Sequence, residues 1–189
     1  MTEDLRTKNI AEAMEYLRDT AQVLLPEPYC TLCLRAIISY DKGYGGARHH
    51  HAYEGGLAVH VADVVRRCRY MCGPVVDISV LLTAAYWHDH CKLLDYKGNP
   101  DGTVGYTPYT KQIGHVVGSV LAFSDIASVP VLDANGKYFC VPDRAQNAII
   151  HCMLAHHGRK EWGSPVEPAT LEAYILHSAD MLSSREAAE

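Results

Sequence analysis

The stretch VLLTAAYW (Val80–Trp87), followed directly by His88-Asp89, is the most informative part of this sequence. Its residues are almost all apolar, which is typical of a helix buried in a protein core. An imidazole and a carboxylate at the end of such a helix cost free energy unless something binds them. Both groups are good ligands for divalent metals. The stretch therefore predicts a buried helix that presents a metal-binding pair at its C-terminal end.

Further candidate ligands recur along the chain. They are His60, His115, His151, His156, His157 and Asp180. A single histidine in an amphipathic helix is more often a core or boundary residue than a ligand, and Asp180 could equally cap a helix or pair with an arginine. The succession of such residues over several predicted helices is what indicates a polynuclear metal site.

We expect these residues to divide between two ions. The first would take two imidazoles and two carboxylates: His60, His88, Asp89 and Asp180. The second would take three imidazoles: His115, His156 and His157. Asp89 has two oxygens and could bridge the ions. Adjacent residues of a regular helix point about 100° apart, so the last two histidines converge more easily if Gly158 ends their helix.

The rest of the pattern is mostly helical. Apolar residues recur at helical spacing between about Thr2 and Leu24, before Pro26 and Pro28. Asp77 is the predicted N-cap of the helix that ends in the metal-binding pair. The other predicted helices are Cys30–Tyr40, a helix that starts after Gly55-Gly56, Lys111–Ala127, a helix capped by Asp143 and closed by Gly158, and Pro168–Ala187.

Two segments are rich in turn-forming residues. Lys97–Gly102 predicts a flexible surface loop. Asn135-Gly136 lies between short apolar stretches, and Val129–Val141 therefore predicts a β-hairpin. With 189 residues, of which 48% are hydrophobic, the chain can bury one sizeable core. We expect an all-α single domain over residues 1–189, a helical bundle with one small β-hairpin insertion.

Charge and hydropathy exclude some classes of protein. The net charge is −5 and the densest basic stretch is only Arg66-Arg67 with Arg69, which is not the footprint of a stand-alone duplex-binding module. No apolar run is long enough to span a bilayer, and no signal peptide is visible after Met1. The sequence thus predicts a cytoplasmic protein without a membrane partner.

The seven cysteines are expected to be reduced and mostly buried, because no secretion signal accompanies them. Cys30 and Cys33 have the spacing of half a zinc knuckle or of a redox pair. However, no second pair of this spacing exists, and the apolar residues around them favour a core helix.

In combination, these motifs resemble the HD-domain metal-dependent phosphohydrolases, and most specifically the HD domain of YhaM-type 3′→5′ exoribonucleases. The resemblance covers about Arg48 to Arg185 and leaves residues 1–47 as N-terminal helices. The matching stretches are His50–Leu57 with His60, His88-Asp89 with Lys92, Tyr109-Thr110 before Ile113–His115, His151–Gly158, Glu161–Pro165 and His177–Asp180. The first stretch is shared with the HD segment of conjugative relaxases, so that stretch by itself would not identify the family.

The resemblance implies an all-helical fold and hydrolysis of a phosphoester, in a nucleotide or at a single-stranded nucleic-acid 3′ end, by metal-activated water. Asp89 and Lys92 would be the catalytic residues, with Lys92 neutralising charge on the phosphate. By their place in the family motif, His50 and His51 would contact the substrate, although consecutive histidines could also form an exposed loop. Beside His156-His157, Arg159 or Lys160 could bind a second phosphate or be an ordinary solvated charge. The expected cofactors are two divalent ions, Mn²⁺ first, with Fe, Co, Ni, Zn or Mg as alternatives. The expected partners are a phosphorylated small molecule or a single-stranded nucleic acid, and a homo-oligomer is a further candidate.

Three departures from the family pattern bear on the substrate. A β-barrel precedes the HD domain in the exoribonucleases, whereas Met1–Ala47 looks helical here. The usual motif His-Asp-Ile-Gly-Lys is His-Asp-His-Cys-Lys in this chain, at His88–Lys92. The predicted hairpin looks like an insertion. The first departure and the acidic charge favour a small nucleotide, and the resemblance favours an oligonucleotide 3′ end. A di-iron oxygenase, since three imidazoles suit iron, and a non-catalytic nucleotide-binding module are the alternatives from other classes.

Overall fold

The computed structural model of the chain describes residues 3–47, 51–132 and 136–186. The fold is all-α, as predicted. Its helices are α1 (Glu3–Leu24), α2 (Tyr29–Ala36), α3 (Gly56–Met71), α4 (Ile78–Trp87), α5 (Lys92–Asp95), α6 (Pro108–Gln112), α7 (His115–Ala127), α8 (Asp143–Ala155) and α9 (Leu171–Glu186). Short 3-10 turns lie at Tyr40–Lys42 and Lys160–Trp162. Within the described ranges, no helix combines the length and the apolarity needed to cross a membrane.

Helix α4 is the centre of the bundle. Every residue from Val80 to Trp87 is buried, and α2, α3, α8 and α9 pack around the helix. Its start is capped as predicted, because Asp77 Oδ1 accepts the backbone N–H groups of Ser79 and Val80 at 3.0 and 3.2 Å. The apolar stretch that singled out this helix in the sequence thus forms the core that carries the site.

The N-terminal helices are tied to the same core by buried aromatic side chains. Tyr86 Oη donates to the carbonyl of Leu17 in α1 at 2.6 Å, and Trp87 Nε1 donates to the carbonyl of Leu32 in α2 at 3.2 Å. A buried hydroxyl or indole N–H needs such a partner. Residues 3–47 therefore complete the core around α4.

Two small antiparallel hairpins interrupt the bundle. Strands β3 (Val131–Leu132) and β4 (Tyr138–Phe139) form the predicted hairpin, although its turn residue Asn135 lies outside the described residues. Strands β1 (Tyr96–Gly98) and β2 (Val104–Tyr106) form a second hairpin that was not predicted.

The surface loop predicted over Lys97–Gly102 is shorter than expected, because Lys97 and Gly98 belong to strand β1 and only Asn99–Gly102 form the turn. Asn99 donates its backbone N–H to the carbonyl of Thr103 at 2.8 Å. Asp101 Oδ1 accepts both the N–H and the hydroxyl of Thr103, at 2.9 and 2.6 Å. The strands are three residues each, too short to produce a visible alternation of apolar and polar residues.

Two helix boundaries also differ from expectation. The helix predicted over Lys111–Ala127 is split, since Gly114 has a φ of 72° and α7 starts only at His115. Asp143 was expected to cap α8, but the N-cap position is Pro142 and Asp143 is the first helical residue, with no side-chain cap. The split after α6 matters for the site, because it places the N–H of His115 at the start of a helix.

Candidate metal centre

The predicted metal ligands converge at the C-terminal end of α4. His60 comes from α3, His88 and Asp89 follow α4 directly, and Asp180 comes from α9. His115 starts α7, and His156 and His157 follow the end of α8. The ligand atoms of His60, His88, Asp89 and Asp180 all lie within 4.8 Å of one another, and those of His115, His156 and His157 do so as well. These first and second groups have the same members as the two sets predicted from the sequence.

Asp89 lies between the groups and turns one oxygen toward each. Its Oδ2 is 3.0 Å from His60 Nε2 and 3.3 Å from His88 Nε2, in the first group. Its Oδ1 is 3.5 Å from His115 Nε2 and 3.8 Å from His156 Nε2, in the second group. The carboxylate is 1% exposed, so its charge is offset by the protein rather than by bulk water. This is the placement that a bridging ligand requires.

The two histidines at helix ends are oriented by backbone carbonyls. His88 Nδ1 lies 2.8 Å from the carbonyl oxygen of Ala85, and His156 Nδ1 lies 2.6 Å from that of Met153. A carbonyl can only accept, so each Nδ1 carries the proton and donates. The lone pair of each ring is therefore on Nε2, which faces the site.

Two further histidines are oriented by side chains. His60 Nδ1 lies 3.1 Å from Ser183 Oγ, and His115 Nδ1 donates to Asp95 Oδ2 at 2.9 Å. Both partners are 1% exposed. Hydrogen bonds of this kind to the distal nitrogen are typical of histidines that bind metals.

Five inner atoms of the site make no aligned hydrogen bond in the described part of the chain, although Lys92 Nζ forms an ion pair with one of them, Asp89 Oδ2. These atoms are His60 Nε2, His88 Nε2, His156 Nε2, and both carboxylate oxygens of Asp89. They approach one another closely, but without the alignment of a hydrogen bond. One such buried, unpaired polar atom costs about 1–3 kcal/mol, so a cluster of them indicates a missing common partner. The mixed nitrogen and oxygen set suits divalent transition metals.

The protonation states of the buried groups also suit a metal site. Burial by itself would raise the pKa of Asp89, but Lys92 and His88 bring it well below the ordinary value. Burial, with a contribution from His157, lowers the pKa of His156 well below its usual range, and burial lowers the pKa of His157 too. The site therefore holds an ionised carboxylate beside neutral imidazoles, the forms that bind metal.

His60 behaves differently from the other imidazoles. Burial lowers its pKa, but its contacts with Asp180 and Asp89 outweigh burial and raise it. The same contact with His60 overcomes the effect of burial on Asp180 and lowers the pKa of that carboxyl. Without a cation, a proton on His60 is the partner that best offsets the two carboxylates.

Lys92 is held next to the shared carboxylate. Its Nζ lies 2.5 Å from Asp89 Oδ2 and donates to the carbonyl of Gly45 at 2.9 Å. The side chain is 13% exposed. Although burial lowers the pKa of Lys92, Asp89 raises it above the ordinary value, so the ammonium stays charged. The predicted catalytic lysine is thus a fixed charge at the edge of the first group.

Of the two histidines predicted to contact substrate, His50 lies outside the described residues. His51 is described, and its ring centroid is 5.7 Å from that of His60. Its carbonyl accepts the N–H of Gly45 at 3.0 Å, and a Cβ on Gly56 would come within 2.0 Å of the same carbonyl oxygen. The glycine at the start of α3 therefore lets the His51 loop approach the site, which explains the spacing of the histidine-glycine motif.

The two basic residues predicted to contact substrate lie further out. Arg159 and Lys160 are exposed and belong to neither ligand group. The guanidinium carbon of Arg159 is 5.2 Å from the ring centroid of Trp162. His151, also weighed as a ligand, instead accepts the N–H of Ala169 at 3.0 Å and has a structural role.

Sequence reasoning missed Asp95 and Ser183, which orient His115 and His60. Neither residue stands in a pattern that marks it. Asp95 follows two leucines at the end of α5 and is 1% exposed. An acidic residue directly after an apolar pair was the only available signal, and it is shared by many surface residues.

The cysteine pair is part of the core rather than of the site. Cys30 and Cys33 lie on α2, and Cys33 is fully buried. Burial raises the pKa of the Cys33 thiol, which opposes formation of a thiolate. Among the described residues, neither ligand group includes a cysteine. These observations favour the core-helix interpretation.

The fold and the site together define an all-α protein with a candidate dinuclear metal centre built around one carboxylate. Over 139 residues the chain is 32% identical to the 3′-5′ exoribonuclease YhaM of Listeria welshimeri, in a match that covers 72% of this chain and 41% of that protein. It is 30% identical over 140 residues to the protein of the same name from Bacillus subtilis, covering 73% and 41%.

The chain therefore spans about two fifths of the length of the curated relatives it matches. No protein-family model and no solved structure matches it. Over most of its length the chain is a relative of the YhaM-type 3′-5′ exoribonucleases, which confirms the resemblance predicted from its motifs.

Proposed function

We propose that the chain is a divalent-metal-dependent phosphohydrolase that cleaves phosphodiester bonds at the 3′ end of single-stranded RNA. The observation that carries this proposal is the position of Asp89. Its two oxygens face two groups of ligand atoms, and three of these atoms, His60 Nε2, His88 Nε2 and His156 Nε2, are buried and make no hydrogen bond in the described part of the chain. The names of the relatives support the substrate class. A cytoplasmic location and Mn²⁺ as the native metal belong to the same proposal.

The ligand assignment follows from the two groups. His60, His88, Asp89 and Asp180 would hold one cation, and His115, His156 and His157, with Asp89, would hold the other. Two bound divalent cations supply Lewis acidity that acidifies a water and neutralises phosphoryl charge. The protein contributes orientation, because the hydrogen bond at Nδ1 of each anchored ring fixes the direction in which Nε2 faces the site.

Lys92 has two roles in this scheme. It keeps Asp89 ionised in a buried position, and its ammonium would add positive charge beside a phosphoryl group bound at the first ligand group. Because Gly45 also holds the ammonium, its position does not depend on the substrate. The charge is therefore in place before the transition state forms.

The test combines metal analysis with a hydrolysis assay. Protein purified without chelator should contain roughly two divalent ions per chain. With Mn²⁺ it should shorten a 5′-labelled single-stranded oligoribonucleotide stepwise from the 3′ end. The variant Asp89→Asn should lose metal and activity, while Asp125→Asn, an exposed carboxylate on α7, should keep both.

Three outcomes would contradict the proposal in different ways. Full activity of the Asp89→Asn variant would show that the proposed metal mechanism is wrong. Hydrolysis of mononucleotides without shortening of the oligoribonucleotide would replace the substrate with a small nucleotide. Oxygen-dependent turnover without phosphoester cleavage would favour the di-iron oxygenase.

A further inference from the structure

Trp162 presents a half-exposed aromatic ring beside the second ligand group. The side chain is 50% exposed, whereas Trp87, the other tryptophan of the chain, is fully buried. Trp162 lines a cleft of about 210 Å³ together with His156 and His157. Leaving so large an apolar ring open to water forgoes the free energy of burying it. A ligand that entered the cleft would contact this ring and the two histidines together.

The turn that carries Trp162 is rigid. Ser164 Oγ lies 3.0 Å from the carbonyl oxygen of Leu154 in α8 and 2.6 Å from that of Val166. Gly163 has a φ of 89°, which a residue with a side chain rarely adopts, and its N–H donates to the carbonyl of Lys160 at 3.0 Å. The backbone that carries the ring is thus held in place by the protein itself.

The ring is connected to the metal ligands through one residue. The ring centroids of Trp162 and His177 are 6.1 Å apart, and His177 Nδ1 lies 2.8 Å from the carbonyl oxygen of His156. A Cβ on Gly158 would come within 2.2 Å of the His177 ring, so this glycine is needed for the close approach. The distance from the indole to the centre is therefore set by direct packing.

Two basic side chains lie near the cleft that the ring lines. The Arg159 guanidinium carbon is 5.2 Å from the Trp162 ring centroid, and Arg185 of α9 lines the same cleft as the indole. Met181 adds an apolar group to that cleft. A flat apolar ring with cationic groups nearby, next to a candidate metal centre, is complementary to a planar base that carries a phosphate.

We infer that Trp162 is a stacking platform for the base of the nucleotide whose phosphate lies at the metal centre. The ligand class is nucleoside phosphates, including the 3′-terminal nucleotide of an RNA. Base stacking on an aromatic side chain contributes about 1–3 kcal/mol and tolerates any base, because every base has a π-face. The platform therefore favours nucleotides over base-free phosphates without reading sequence. This inference rests on the proposed function for the position of the phosphate.

The test compares two probes that differ only by a base, AMP and ribose 5-phosphate, in buffer with Mg²⁺. AMP should quench the tryptophan fluorescence of the wild-type protein and ribose 5-phosphate should not. Of the two tryptophans, Trp162 is the exposed one, so quenching would report a base next to its ring. By calorimetry, Trp162→Ala should weaken AMP binding about tenfold and leave ribose 5-phosphate binding unchanged. Trp162→Phe should retain most of the affinity for AMP.

The matched control is Tyr70→Ala, which removes a 92% exposed ring from the C-terminal turn of α3. It should bind both probes like the wild type. Absence of AMP binding to the wild type, equal AMP binding by Trp162→Ala, or equal weakening of both probes would each overturn the platform. If the wild type binds AMP through Trp162 but cleaves no RNA, the platform stands and the proposed function fails. If the wild type cleaves RNA and Trp162→Ala cleaves it equally well, the proposed function stands and the platform fails.

Discussion

Asp95 binds His115 twice through one oxygen. Its Oδ2 lies 2.9 Å from His115 Nδ1 and accepts the His115 backbone N–H at 3.1 Å. The two bonds fix both the rotation of the ring and its tautomer, since the carboxylate can only accept. They are made at the start of α7, where the break after α6 leaves the backbone N–H unpaired within the helix. Asp95 is thus a positioning residue for the second group.

Asp95→Asn should weaken metal binding without unfolding the protein. A carboxamide accepts less strongly than a carboxylate, so the His115 ring loses part of its orientation and basicity. Loss of such an outer partner typically lowers metal affinity about 10–100-fold, which a competition titration with a chromogenic chelator measures. Asp125→Asn, an exposed change on the same helix α7, is the control. Unchanged affinity in a folded Asp95→Asn protein would show that the bond has no role in metal binding.

Lys92→Met should lower stability far more in the metal-free protein than in the metal-loaded protein. Removing the ammonium leaves Asp89 as a buried carboxylate without its lysine partner, a change that costs about 3–5 kcal/mol. Bound cations would take over this charge. Thermal unfolding with and without EDTA gives the comparison. Equal losses in both conditions would mean that the cations do not bind at Asp89.

Gly56→Ala should destabilise the chain by about 1–3 kcal/mol, the usual cost of forcing extra volume into a packed site. The new Cβ would meet the His51 carbonyl oxygen at 2.0 Å and push the His51 loop away from α3. Denaturant unfolding measures the change. Gly73→Ala is the control, since a Cβ there meets nothing within 4 Å. If both variants unfold at the same denaturant concentration, the close approach of the His51 loop to α3 is wrong.

Thiol labelling of the native protein should modify Cys140 first, because it is the exposed cysteine. Cys33, Cys68 and Cys152 should react only after unfolding. Burial raises the pKa of all three, that of Cys152 to about 12, so thiolate forms only as the pH rises far above neutral. Mass spectrometry after brief alkylation at pH 8 reports the order. Rapid labelling of Cys33 in the folded protein would contradict this prediction and favour the interpretation of Cys30 and Cys33 as a redox pair.

The central part of the fold could be predicted because its signals are local and strong. Val80–Trp87 is a continuous apolar run, and Asp77 stands where a cap is needed; both are visible without the structure. The hairpin of β1 and β2 could not be predicted, because strands of three residues are stabilised by pairing with each other rather than by their own pattern. The break at Gly114 was missed since a lone glycine in a helical pattern is ambiguous.

The candidate ligands could be predicted because imidazole and carboxylate side chains at the ends of apolar segments are chemically conspicuous. The structure brings the seven that were assigned to the two ions into two groups, and leaves out the eighth candidate, His151. Asp95 could not be predicted, because a carboxylate that orients a ligand has the same sequence signature as an ordinary surface acid. Its function depends on the packing of α5 against α7, which only the tertiary structure specifies.

The ligands come from α3, the end of α4, α7, the end of α8 and α9, so neither ligand group is supplied by a single helix. During synthesis, Asp180 leaves the ribosome after every other ligand, and the first group is complete only when α9 has packed against α3 and α4. A chain made only as far as α8 would therefore carry an incomplete first group. Local unfolding of α9 in the finished protein would break the same group, and with it the metal-dependent activity that we propose.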